Sequence, residues 1–230
     1  MKRFYKEAAV ESSGTHGILL DGRPVRTPAR VPLQLPTRAL ADAVAAEWNA
    51  QGDTITPRSM PLTGLANAAL DRIAPDREAF AAGLARFGEN DLLCYRAEGP
   101  ATLVTRQAEH WDALLAWARR RFDVDFEVVS GIMHRPQSPN TLAQLSHAVA
   151  SRDPFQLAGL APLVTVSGSL VLALALAEGA VDLESAWLAA VLDDLWQQEQ
   201  WGSDAEAEKA LASRRADFEA GYRFLQTLVE

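Results

Sequence analysis

Asp193 and Asp194 stand side by side, with Gln197 and Trp201 following at helical spacing. Paired carboxylates can divide general-acid and general-base work when they converge on one bond. Neighbours on a helix, however, diverge by about 100°, so this pair does not face a common reacting atom. Carboxylates aimed at a basic partner are the better account. Cys94, within DLLCYR at 91–96, is the only cysteine and a candidate nucleophile. A reactive thiolate needs a base and polar surroundings, whereas Cys94 follows two leucines, so it reads as a buried structural residue. His16, His110, His134 and His147 are scattered, without HExxH or CxxC, and side-chain metal binding has a weak case. VSGS at 166–169 lacks the glycine pattern of a nucleophile elbow. Gly14, Gly17 and Gly22 lack the spacing of a phosphate-binding loop or dinucleotide fold. No cofactor is implied. The weight moves towards a protein that works by binding, with a hydrolase or transferase using an acid or Cys94 as the alternative.

The elements that would position these residues follow from periodicity. The segment LDDLWQQEQWGSDAEA at 192–207 reads as the end of a helix over 183–200, stopped at Gly202. Indexed from Trp187, the residues Leu188, Val191, Leu192, Leu195 and Trp196 share its half of the cylinder. Asp193, Asp194, Gln197 and Trp201 fall on the other half, interleaved with Ala186 and Ala190. A tryptophan among acids either anchors a protein partner or packs under the neighbouring helix.

Strand and turn signals occupy the first forty residues. Residues 4–10 and 17–20 are β-prone, and the Asp21-Gly22 step in LDGRPV predicts a hairpin. An alternating run at 31–35 precedes Thr37, which reads as the N-cap of a helix ending at Gly52. Further helices are expected over 61–75, 76–87, 101–122, 140–150, 155–177, 183–200 and 204–228, with a short strand at 126–129. Arg119 to Arg121 close the long helix, where positive charge suits the C-terminal end of the dipole. The expectation is an α+β chain: a small β-rich domain at 1–55 with a terminal helix, then an α-helical domain at 56–230.

Composition sets the outer limits. With 230 residues, 48% hydrophobic and 23% charged, the chain can bury a sizeable core. The charge of −8 is uneven: residues 181–230 hold eleven acids against four bases, and residues 1–60 hold six against eight. An acidic C-terminal third argues against nucleic acid, whose binding runs on Lys and Arg neutralising phosphates. One cysteine permits no internal disulfide, and MKRFYKEAAVES has neither an apolar signal core nor an arginine-rich presequence, so a soluble protein of a reducing compartment is expected. Residues 154–177 carry no charge over nearly a bilayer's span. Pro162 would interrupt a helix there, and Gln156, Thr165, Ser167 and Ser169 would each need a partner in lipid. A buried, broken helix pair is expected, without stable membrane insertion.

The chain resembles a known family. RFYK at 3–6, LDGRPVRTP at 20–28, LADAVAAEW at 40–48 with Gln51, and MPLT at 60–63 with Asn67 and Asp71 carry the resemblance. DLLCYR at 91–96, Gln107, Trp111, Gly131 with Ile132, Ser169, LALA at 172–175, Ala186 with Trp187, Trp196 with Gln197, Trp201 with Gly202, Asp204 and Glu206 continue it in order. These features are similar to the ATP synthase assembly chaperones of mitochondria and alphaproteobacteria that bind the alpha subunit of the F-type catalytic head. That family often carries a glutamate where this chain has Asp193 and Asp194. The resemblance implies a chaperone with no enzymatic activity, placed in the cytoplasm or, for a mitochondrial relative, the matrix. It would cover apolar surface that an unassembled alpha subunit exposes. The residues expected to contact the partner are Asp193, Asp194, Gln197 and Trp201, with Asp204 as a rim charge. For LDGRPVRTP, turn formation and rigidity are favoured over direct contact.

Overall fold

The computed structural model describes residues 1–11, 16–131, 133–202 and 204–229. Gly14 and Ile132, cited above, lie outside these described residues. Strand β1 (Ala8–Val10) pairs antiparallel with β2 (His16–Leu20), which pairs in turn with β3 (Arg23–Pro24) and, nearer its start, with β4 (Gln34–Leu35). Asp21 and Gly22 both have positive φ, 47° and 79°, as a two-residue hairpin matched to strand twist requires. Helix α1 (Arg38–Asn49) starts where the Thr37 side chain accepts from Leu40 N–H. Its Asn49 closes the ends of a β1 residue, donating to Ala8 O and accepting from Ala8 N–H, each at 2.8 Å. Its Glu47 takes the free N–H groups of Leu62 and Thr63 at the start of α2 (Pro61–Ala68). That helix widens into a π-turn over Ala69–Ile73, and Asp71 on the turn accepts from the Thr27 hydroxyl at 2.5 Å and from Ala29 N–H at 3.0 Å.

Helices α3 (Arg77–Ala85) and α4 (Ala101–Phe122) follow, and α4 has the bounds its periodicity predicts. Asp123, at φ 53°, ends α4 in a left-handed turn. Two short strands, β5 (Tyr95–Arg96) and β6 (Val129–Ser130), pair in parallel. Next come α5 (Pro139–Ala150), α6 (Pro154–Ser167) and α7 (Leu170–Ala177). The uncharged run is thus two helices, but Pro162 is not the break: it lies inside α6. The chain turns at Gly168, φ 68°, and Ser169 caps α7. The polar residues of the run are satisfied locally, Thr165 donating to Ala161 O and Ser167 to Leu163 O. All seven residues Leu170 to Leu176 are fully buried. Among the described residues no helix is long and apolar enough to cross a membrane.

The expected single helix over 183–200 is two: α8 (Leu183–Ala190) and α9 (Leu192–Trp201). Val191, at φ −115° and ψ 16°, breaks the helical path, so a wheel drawn from Trp187 loses its phase. Leu188, expected on the apolar arc, is exposed, while Ala186 and Ala190, expected among the acids, are buried. Helix α10 (Ala205–Gln226) completes the chain. The architecture is α+β, as expected.

Packing groups the chain into two compact units. One holds 1–77, 153–159 and 223–230; the other holds 78–152 and 160–222. The first is built around Tyr5, Ala8, Leu20, Ile55 and Met60, with Val25 and Trp48 against them. In the second, Trp111 of α4 is fully buried and donates its indole N–H to Ala189 O at 2.9 Å.

Candidate functional site

Helix α9 is tied to α4 along one side. The Gln107 side chain, itself buried, donates to Asp193 Oδ1 at 2.8 Å and accepts from Ala97 N–H at 2.8 Å. The preceding residue of α4, Arg106, forms an ion pair with Glu199 at 2.8 Å and lies 5.1 Å from the Trp196 ring centroid. Trp196 is accordingly half-buried. On another side, Asp194 pairs with Arg214 of α10 at 2.6 Å, and Arg214 also reaches Val166 O at 3.3 Å. The two adjacent aspartates therefore point to different neighbours, as their angular separation on a helix requires.

These ties leave one face of α9 without cover. Gln197 is exposed, and Trp201 is 79% exposed, so it does not pack under the neighbouring helix. Gly202, at φ 83°, ends α9, and Asp204 caps α10 by accepting from Ala207 N–H at 2.8 Å. Between the two helices lies a hollow of about 350 Å³. Asp194, Gln197, Gln198 and Trp201 line it from α9, with Gly202 and Asp204 at its end. Ala207, Ala210, Leu211 and Arg214 close it from α10. Asp193 is absent from this lining; it belongs to an adjoining hollow of about 300 Å³ with Leu92 and Gly168, and Asp194 and Arg214 stand in both. Four of the five expected contact residues thus share one concavity, and Asp193 lies behind it. The α10 wall is not among the residues expected from the sequence, although Ala207, Ala210, Leu211 and Arg214 repeat at the i, i+3, i+4, i+7 spacing of a single stripe.

The groups considered for catalysis sit elsewhere. Cys94 is buried, and burial first, then the charge of Asp91, pushes its thiol up to about 12, so no thiolate forms near neutrality. Asp91 is fully buried at the start of α7, accepting from Ser169 Oγ at 2.7 Å, Val171 N–H at 2.9 Å and Leu93 N–H at 3.1 Å. Burial raises its carboxyl to about 6 against the lowering effect of these bonds. Among the described residues no three His, Cys, Asp or Glu side chains cluster as metal ligands. The α9–α10 hollow holds an exposed indole, amides and carboxylates.

A sequence profile described as the ATP12 chaperone protein matches residues 2–119. The chain belongs to the ATP12 chaperone family. This is the ATP synthase assembly chaperone family that its motifs resemble. The mitochondrial protein atp12 of Schizosaccharomyces pombe is 25% identical over 221 residues, covering 90% of this chain and 76% of that protein. The crystal structure of Atp12 from Paracoccus denitrificans is 43% identical, with a TM-score of 0.94 over 99% of this chain and 98% of that one. A protein of Agrobacterium tumefaciens, 44% identical, gives the same TM-score over 99% of this chain and 86% of its own. The profile match ends within α4, whereas the likeness to the ATP12 structures extends over α9 and α10 as well.

Proposed function

We propose that this protein captures the unassembled alpha subunit of the F-type ATP synthase head and shields it until assembly, without chemistry of its own. The carrying observation is Trp201, a large aromatic left 79% exposed at the edge of a concavity whose rim holds Asp194 and Asp204. An indole offers a large contact area at small entropic cost, the usual character of an interface anchor. The carboxylates would guide a basic surface to it and fix its register more than add raw affinity. Gln197 and Gln198 would supply hydrogen bonds around the anchor. Asp193 acts from behind, holding α9 through Gln107. A hollow of this size with one anchor suits a partner that must later be released. The setting proposed is the bacterial cytoplasm or, for mitochondrial relatives, the matrix.

Co-expression with alpha alone, with beta alone and with neither tests the reading. Alpha should stay in the supernatant and co-purify, and beta should do neither. Equal rescue of both subunits, or of neither, rejects it.

A further inference from the structure

The fold of the first unit accounts for nearly all of LDGRPVRTP at 20–28, and what it leaves over is two arginine head groups. Leu20 is core, and Val25 packs against that core. The Asp21 carboxylate accepts from the backbone N–H groups of Glu7 and Lys6, which hold it below the usual carboxylate range. Gly22 supplies the turn, and Thr27 binds Asp71. The Arg23 side chain makes no hydrogen bond or salt bridge among the described residues, and its charge helps to lower the neighbouring Asp21 carboxyl, which lines the same hollow. Arg26 gives one N–H to Arg30 O at 2.8 Å and forms no salt bridge among them. Arg3 differs, spending its guanidinium on the carbonyls of Tyr5, Lys6 and Gln51.

Arg23 and Arg26 line a hollow of about 550 Å³, larger than the one beside Trp201. Its wall carries an aromatic row: Phe4 meets Tyr5 at 5.5 Å between ring centroids, and Tyr5 meets Trp48 at 5.6 Å. Phe4 is 65% exposed and Met1 is 74% exposed. The Trp48 indole N–H is shut off from solvent without an acceptor among the described residues. We infer that this hollow docks an extended segment of a partner protein in which carboxylate and apolar side chains alternate. An extended chain sends successive side chains to opposite faces. Apolar side chains can then enter the aromatic wall while carboxylates meet the two guanidiniums, whose planar forks suit them. The charge balance of residues 1–60, basic within an acidic chain, is complementary to such a segment. A concavity of this volume fits individual side chains better than a flat lipid surface. The inference is independent of the α9–α10 reading.

The probe is a capped pentapeptide alternating glutamate and leucine, titrated into the full chain beside its lysine–leucine counterpart. The readout is the Trp48 indole resonance, identified by its loss in Trp48→Phe. The glutamate peptide should give a saturable shift and the lysine peptide none. Arg23→Glu with Arg26→Glu should weaken binding about tenfold or more, since like charges then face each other. Arg23→Gln with Arg26→Gln serves if the reversals impair folding, and should weaken binding in the same direction. Trp201→Ala should bind the peptide as the parent does, which separates this site from the α9–α10 hollow. No shift, equal binding of both peptides, unchanged binding by the folded double variants, or attachment only to anionic vesicles would overturn the inference.

Discussion

Asp91 and Asp194 belong to the same helical unit and meet opposite surroundings. Asp91 has no exposed surface and spends its oxygens on Leu93 and on Ser169 and Val171 at the start of a helix buried from Leu170 to Leu176. Asp194 is nearly half exposed, with one arginine partner, beside an indole that faces solvent. Depth therefore separates an acid that builds the unit from an acid available to a partner. Removing the first strands several buried donors, and removing the second strands little.

Substitutions can sharpen this contrast or break it. The largest effect on stability is expected from Asp91→Ala, about 3 kcal/mol, because it orphans two backbone N–H groups and the Ser169 hydroxyl in a dry setting. Urea unfolding measures it, and a midpoint unchanged from the parent would remove Asp91 from its structural role.

The same carboxyl makes stability depend on pH. Its folded value of about 6 lies above the ordinary 3.8, so the folded chain holds this proton more tightly than the unfolded one. Its contribution to stability is greatest at low pH, declines as pH rises from about 4 to about 6, and is level above that range. Unfolding free energies of the parent and Asp91→Asn, compared across that interval, should differ by this slope; parallel curves would contradict it.

Charge reversal should distinguish the adjacent pair. Asp193→Lys deprives the buried Gln107 amide of its acceptor and should cost about 1–2 kcal/mol, readable as a lower melting temperature. Asp194→Lys breaks a partly exposed pair worth at most about 1 kcal/mol, yet it should weaken capture of alpha more than Asp193→Lys does. Equal melting temperatures with equal capture would erase the distinction. The smallest stability change is expected from Trp201→Ala, within about 0.5 kcal/mol by calorimetry, since the ring covers almost nothing in the free protein.

Local signals were legible wherever a residue's task lay within a few positions of it. Thr37 as a cap, Asp21-Gly22 as a turn and the bounds of α4 needed only neighbouring residues. The outward face of α9 was readable in the same way, because Gln197 and Trp201 are one turn apart. What escaped depended on distant partners. Pro162 stays within α6, and a left-handed glycine followed by a serine cap makes the break instead. The kink at Val191 carries no proline or glycine to announce it, and it rotates α8 against the wheel drawn through α9. The hold of Gln107 on Asp193, and the stripe of α10 that walls the hollow, join residues far apart in the chain. Likewise, no local pattern groups residues 153–159 and 223–230 with the first 77.

The most direct measurement is the affinity of purified alpha subunit for the parent chain and for Trp201→Ala, under conditions where both are folded. Loss of about tenfold or more on removing the indole, with an unchanged melting temperature, is the predicted result. Equal affinity for the two proteins would show that the exposed indole does not anchor the client, and would contradict the account.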